Sequence, residues 1–319
     1  ADAAVEAAIR AGLAEEIARG RLPGTEADPS GTSGLVSIAM GKGGARELNY
    51  SSDIDLIFLF DETRHAPEDY AEIRARLVKV CQGAAQLLSK PTGEGYVFRT
   101  DLRLRPDPSV TPVCIGMDTA ERYYESLGRT WERAAFIKAR AASGDIEAGE
   151  RFLGELRPFI WRRFLDFAAI RDAHDIRQRI RDHRGVGGEI AVPGHDVKLG
   201  RGGIREIEFF VQTRQLICGG RDPALRPRAT RPALAALTRA GWVAEETAAT
   251  LDAAYLAHRE LEHRLQMVED RQTHSMPSAT EARDRIAALA VGRKAAAHMA
   301  SAVAMRLYRA CWTERRIGK

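Results

Sequence analysis

The sequence predicts an α+β fold: a small mixed sheet followed by a mainly α-helical bundle. Three observations predict it. Runs with strand spacing are confined to the first third of the chain, at 35–40, 53–60 and 96–105. Helical patterns at 2–19 and 67–88 place helices among those strands. From Asp118 onward apolar residues recur at helical spacing with few strand signals, continuing to Lys319. At 319 residues the chain can bury a large core and is expected to divide. The expected boundaries are an N-terminal helix and connector at 1–33, a mixed-sheet domain at 34–145 and a helical domain at 146–319.

The elements follow in order. Residues 2–19 are Ala-rich and amphipathic, and the Gly/Pro/Ser-rich stretch 20–34 reads as a connector. A helix that begins at Ala1 without methionine suggests a processed or engineered fragment. A strand at 35–40 leads into a glycine-rich turn and then the strand at 53–60. The helix at 67–88 is followed by the turn Lys90-Pro91-Thr92-Gly93-Glu94-Gly95 and the strand at 96–105. Arg122, Tyr123, Trp131, Ala134, Ala135 and Lys138 fall on one or two helices, and the run 255–266 reads as a helix packed on its apolar side. There is no internal repeat and no long low-complexity tract.

Chemistry concentrates in the stretch Gly41-Lys42-Gly43-Gly44-Ala45-Arg46-Glu47-Leu48-Asn49-Tyr50-Ser51-Ser52-Asp53-Ile54-Asp55, which passes from glycines into two carboxylates one residue apart. On a strand Asp53 and Asp55 share a face, with Cα atoms roughly 6.5 Å apart. That spacing suits one or two Mg²⁺ ions, which favour carboxylate oxygen plus substrate phosphate. The alternative is a strand that merely begins with two solvated aspartates. In Tyr96-Val97-Phe98-Arg99-Thr100-Asp101-Leu102-Arg103-Leu104-Arg105, alternation sets Arg99, Asp101, Arg103 and Arg105 on one face. Asp101 is the third carboxylate a two-metal site needs, and the three guanidiniums suit phosphate oxygens. A solvent face of paired charges is the other reading.

Two further blocks carry basic residues. Gly128 to Arg140 opens with Thr130 as a candidate N-cap, and helical spacing would align Arg133, Ile137 and Arg140 beside Lys138. These cations could reach nucleotide phosphates or form surface salt bridges. Lys198 to Val211 places three glycines at a helix entrance, where exposed amides and the helix dipole favour an anion. Lys198 and Arg201 would assist there; a tight helix–helix turn is the alternative. Glu206 and Glu208 cannot both face the side set by Ile204, Ile207 and Val211. Glu206 could touch a metal cluster or orient Arg205.

Composition excludes several classes. Formal charge is only +4 and the basic residues are mostly arginine, which favours specific phosphate or protein contacts over nonspecific nucleic-acid binding. Aromatic content of 7%, with no basic-aromatic stripe, argues against a stacking surface for nucleic acid. Cys81, Cys114, Cys218 and Cys311 are far apart and indicate neither zinc nor disulfides. His258 and His263 are five apart and share no helix face, and His65, His174, His183, His195, His274 and His298 are scattered, so a structural role is expected for each. No run approaches ~18 apolar residues and no signal-peptide layout opens the chain. A reduced, cytoplasmic protein that binds no membrane is expected.

The glycine turn, the D-x-D strand and the later lone aspartate resemble the nucleotidyltransferase superfamily related to DNA polymerase β. More narrowly, GKGGARELNYSSDIDLIF, FRTDLRLRP, GRTWERAAFIKAR and KLGRGGIREIEFFVQ, in that order from about 34 to 277, resemble the bifunctional glutamine synthetase adenylyltransferase/adenylyl-removing enzymes. That family carries two nucleotidyltransferase domains, and this chain covers one. GGIREIEF resembles the amino-terminal, adenylyl-removing copy. The family usually has an apolar residue where Gly43 stands and a glycine where Ala45 stands. The resemblance implies a polymerase β-like nucleotidyltransferase domain at 34–145 followed by the helical domain. It implies Asp53, Asp55 and Asp101 as catalytic metal ligands for Mg²⁺, two ions in all. It also implies nucleotide or phosphate contacts from Gly44, Ser52, Arg99, Arg103, Arg105, Lys138, Arg140, Lys198, Gly202, Gly203, Arg205 and Glu206. The implied activity is phosphorolysis of adenylylated glutamine synthetase, with orthophosphate as co-substrate and ADP as product. Implied partners are glutamine synthetase, the PII signalling protein and the C-terminal adenylyltransferase domain of the same polypeptide, absent here. Two alternatives are ATP-dependent adenylylation of the synthetase tyrosine and a non-catalytic module that senses nucleotide or PII.

Overall fold

The computed structural model describes residues 1–25, 27–163, 191–268 and 270–289. Expectations for His174, His183, His298, Cys311 and the helical pattern at 290–319 lie outside the described residues. Two compact units are present. The first comprises Ala1–Leu48 and Ser52–Arg162, the second Asn49–Ser51 and Arg163–Lys319.

A small mixed sheet organises the first unit. Strands β1 (Leu35–Ala39) and β2 (Ile54–Phe60) pair antiparallel, Ala39 opposite Leu56. On the far side of β2 lie β3 (Thr100–Asp101) and β4 (Cys114–Gly116), both parallel to it, while β5 (Arg140–Gly144) runs antiparallel along β1. In β2 the even positions Ile54, Leu56, Phe58 and Phe60 enter a core shared with two helices. Helix α1 (Asp2–Ala18) contributes Val5, Ala8, Ile9 and Leu13, and α4 (Tyr70–Ser89) contributes Ile73, Leu77, Val80, Cys81, Ala84 and Leu88. Both lists follow the three-and-four spacing of an amphipathic helix. Asp53 and Asp55 take the opposite parity, so α1 and α4 cover the face they do not occupy.

Short helices complete this unit: α2 (Pro29–Ser33), the one-turn α3 (Gly41–Gly44), α5 (Met117–Ser126), α6 (Thr130–Phe136), α7 (Ile146–Glu155) and α8 (Arg157–Ile160). Helix α7 starts where the Asp145 carboxylate accepts from the Ala148 amide at 3.0 Å, and it packs on β1 and β5. The expected divisions at 33/34 and 145/146 therefore do not coincide with the units. Helix α1 lies against α4 and β5, and α7 and α8 remain with the sheet, because their apolar faces have their partners there.

Three local expectations are corrected. The strand expected over 96–105 is reduced to Thr100–Asp101, because the Asp101 carboxylate accepts from the Arg103 amide at 2.9 Å and bends the chain out of the ladder. The helix of the tryptophan block has Arg129, not Thr130, at its N-cap, with Glu132 accepting from the Arg129 amide at 2.7 Å. That helix stops at Phe136, and Arg140 joins β5 opposite Ala39, so Arg133, Ile137 and Arg140 share no helix face.

In the second unit α9 (Ile204–Cys218), α10 (Thr230–Arg239) and α11 (Glu245–Met267) pack pairwise around Ile207, Val211, Leu234, Leu237, Leu251 and Tyr255. Helix α12 (Thr280–Ala288) joins a smaller cluster of Val197, Leu261, Leu265, Met276 and Ile286. Asn49–Ser51 belongs here through Arg259, which donates to Asn49 Oδ1, and Gln266 Oε1, which accepts from the Ser51 amide at 3.4 Å.

Candidate active site

The glycine turn is a single helical turn fixed by backbone sterics. Gly41 has φ +51°, and a Cβ there would lie 2.8 Å from Asp55 Oδ2. At Gly44 a Cβ would come within 2.0 Å of the Lys138 carbonyl and 2.4 Å of the Ala39 carbonyl, so only glycine fits. The two departures from the family wording cost nothing here. A Cβ at Gly43 would meet only the Ala39 methyl at 3.9 Å, and Ala45 is right-handed at φ −77°. The Met40 amide donates to the Asp55 carbonyl at 2.9 Å, which ties the turn's entrance to the D-x-D strand.

Asp55 and Asp101 are register partners on adjacent parallel strands, a pairing that sets them about 5 Å apart. Asp53 lies just before β2, where the Ile54 amide donates to the Arg99 carbonyl at 2.8 Å. Arg99 Nε donates to Asp53 Oδ1 at 2.8 Å, and its guanidinium lies 5.3 Å from the Tyr96 ring centroid and donates to the phenol oxygen. Arg103 Nε reaches both Asp101 oxygens at 2.9 Å. Hydrogen bonding from the Arg103 side chain holds the Asp101 carboxyl below its ordinary pKa. Asp101 raises Arg103 in return, and Asp55 and Asp53 add to that rise, so three carboxylates bear on one guanidinium. Among the described residues no group of three or more His, Cys, Asp or Glu could hold a metal ion as arranged. The donor chemistry nevertheless fits Mg²⁺: every acidic group is a hard carboxylate oxygen, and the Arg103 side chain that holds Asp101 is 84% exposed and unconfined by packing.

Gly44, Ser52, Asp53, Asp55, Arg99, Asp101 and Arg103 all belong to this first unit, and the aspartates, Arg99, Arg103 and the turn adjoin along the start of β2. Arg105 turns elsewhere, donating to the carbonyls of Leu102, Pro108 and Thr111, where it staples the loop after Asp101. Lys138 is buried, with Nζ 3.0 Å from Glu47 Oε2. Arg140 is buried behind the glycine turn and donates to the carbonyls of Gly43 and Gly44. Sequence reasoning missed Glu47, Tyr96 and Asp2, each of which fixes a cation of these motifs. A lone acid or phenol has no spacing signal to announce such a role.

Lys198, Gly202, Gly203, Arg205 and Glu206 gather in the second unit at the entrance to α9, where the glycines precede the helix as expected and Gly203 is the N-cap. Most of its amides are spent within the turn. Those of Lys198 and Leu199 donate to Asp196 Oδ1, that of Gly202 to Glu206 Oε2, and those of Gly203, Ile204 and Arg205 to carbonyls of Gly200, Val197 and Lys198. These amides are thus turned to partners inside the turn rather than outward as a cradle. Glu208 is the buried member of the acidic pair and Glu206 the half-buried one.

Residues 1–155 match the family model described as glutamate-ammonia ligase adenylyltransferase, and residues 173–315 match one described as GlnD PII-uridylyltransferase. The chain is 54% identical over 296 residues to the bifunctional glutamine synthetase adenylyltransferase/adenylyl-removing enzyme of Rhizobium meliloti, covering 90% of this chain and 29% of that protein. It is also 54% identical over 295 residues to the enzyme of the same name from Agrobacterium fabrum, again 90% of this chain and 29% of the relative. The chain belongs to this family. It spans less than a third of the length of these members of the adenylyltransferase/adenylyl-removing family. Within the described residues no helix is long and apolar enough to cross a membrane.

Proposed function

We propose that this chain removes adenylyl groups from glutamine synthetase by phosphorolysis, at a nucleotidyltransferase site of polymerase β type built on β2 and β3. The observation that carries the reading is the pairing of Asp55 with Asp101 in register, beside a glycine turn whose first residue lies against the Asp55 carboxylate. Asp53, Asp55 and Asp101 would hold two Mg²⁺ ions. When bound, Mg²⁺ aligns the attacking and leaving oxygens of an in-line displacement and offsets developing charge. Arg99 and Arg103 bind and orient phosphate oxygens, exchanging their present carboxylate partners for substrate. An orthophosphate oxygen bonds to the adenylyl phosphorus, and the bond from that phosphorus to the tyrosine oxygen breaks. ADP leaves, and the phenolate oxygen takes a proton.

The GGIREIEF wording supports the adenylyl-removing copy over the adenylylating one. Buried, free Cys81, Cys114 and Cys218 support a reduced cytoplasmic setting. The match of 173–315 to a PII-uridylyltransferase model supports a PII protein as a further partner. The test is to incubate the chain with adenylylated glutamine synthetase and Mg²⁺, with and without orthophosphate, and to identify the nucleotide released. ADP that appears only with orthophosphate is expected; transfer of AMP from ATP onto the unmodified synthetase would reverse the assignment.

A further inference from the structure

Arg140 lies in β5 with 8% of its surface exposed, and its guanidinium has a full set of partners. Nη2 donates to the Gly43 carbonyl at 3.2 Å and Nε to the Gly44 carbonyl at 3.4 Å. Nη1 donates to the Ala141 carbonyl at 3.2 Å. The fork also grips Asp2 through both carboxylate oxygens, each at 3.0 Å. Carbonyls at the end of a helical turn attract a cation, and that of Gly43 takes the Arg140 guanidinium in addition to the Arg46 amide at 3.2 Å. Only a planar guanidinium can reach two such carbonyls and a bidentate carboxylate together; a lysine offers one point charge.

Asp2 is firmly delivered. It sits in the first turn of α1, whose Val5, Ala8, Ile9 and Leu13 are buried, and one turn later Glu6 Oε2 accepts from the Gly144 amide at 2.6 Å at the other end of β5. The glycine turn is therefore pressed between two fixed points. Its first residue adjoins Asp55 Oδ2, and its last rests on the Lys138 carbonyl and is held by Arg140. Glu47, which follows the turn, is pinned separately by Lys138.

We propose that Arg140, anchored by Asp2 of α1, is a positioning residue that holds the Gly41–Gly44 turn in place over Asp55, so that the first helix of the chain sets the geometry of the phosphate site. The link to nucleotide rests on the function proposed above; the brace itself does not. Asp2→Asn is the informative variant, since that side chain is 42% exposed and its change leaves the core intact. Arg140→Lys is the second, keeping charge and losing the fork.

Two readouts separate the claims. Amide hydrogen exchange at 44–47 should quicken about tenfold in both variants while the β2 amides stay protected. The dissociation constant for ADP with Mg²⁺ should weaken by about tenfold in parallel. Unchanged exchange at 44–47 in both variants would overturn the proposal. Faster exchange with unaltered ADP affinity would overturn it as well, leaving Arg140 only a structural tie. A wild-type chain without affinity for ADP and Mg²⁺ would remove the functional reading instead, and exchange alone would then decide the brace.

Discussion

Asp101 stands where β3 gives way to a turn, and Arg103 serves both sides of that change. Its amide closes the turn on the carboxylate and its guanidinium supplies the counter-charge. Folding lowers the Asp101 pKa through this pairing, so its stabilising contribution is present above the ordinary value of 3.8 and is lost as pH falls through the folded value. Arg103→Ala should return the Asp101 titration toward 3.8, read from its side-chain carboxyl carbon by NMR, and should weaken affinity for orthophosphate. An unmoved titration would mean that Arg103 does not govern the carboxylate. The same residue shows how charge alternation can mislead. Arg99, Asp101, Arg103 and Arg105 look like one strand face in the sequence. In the fold Arg105 is consumed by loop carbonyls and Arg103 acts from beyond the strand's end.

At the scale of elements the glycine turn is the sharpest case. Gly44 is held against two carbonyl oxygens, whereas Gly43 has room beside Ala39. Gly44→Ala should destabilise the chain by about 1–3 kcal/mol or more through overpacking against backbone. Gly43→Ala should be neutral or stabilise by up to about 1 kcal/mol, because it reduces the freedom of the unfolded chain. Denaturant unfolding compares the two; equal effects would contradict this account of the turn. Legibility followed the strength of the local signal. Helices α1 and α4 and strands β1 and β2 carry long or strongly apolar patterns, and the structure places them within a few residues of expectation. Strands β4 and β5 went unseen. Cys114–Gly116 is too short for a period, and Arg140–Gly144 is a small-residue strand that owes its conformation to pairing with β1, a tertiary effect. The placement of the aspartates beside the glycine turn was legible because D-x-D and that turn are local in sequence. Asp2 and Glu47 were not, since each meets its partner only across the fold.

For the molecule as a whole, each unit has its own polar interior with its own response to conditions. In the helical unit His258 is buried on α11, where loss of hydration and the nearby His195 bring its pKa down to about 4, against the opposing pull of a hydrogen bond with the Gly202 backbone and of the Glu262 carboxylate. The unfolded chain, with an imidazole near 6.5, takes up the proton first. Stability is therefore full above pH 6.5 and falls as pH drops toward 4, by ~3 kcal/mol from this group. Denaturant midpoints measured between pH 7 and 4.5 should show that fall, and His258→Gln should flatten it. A wild-type profile that is level across this range would contradict the buried neutral state. For the first unit the proposal is that Asp53, Asp55 and Asp101 form one Mg²⁺-dependent adenylyl site. The most direct test is the orthophosphate-dependent rate of ADP release from adenylylated glutamine synthetase, for the wild type and for Asp55→Asn and Asp101→Asn, with melting temperatures recorded alongside. Rates lower by about a hundredfold or more are expected in both variants, with melting within a few degrees of the wild type. Either variant releasing ADP at the wild-type rate would contradict the proposal.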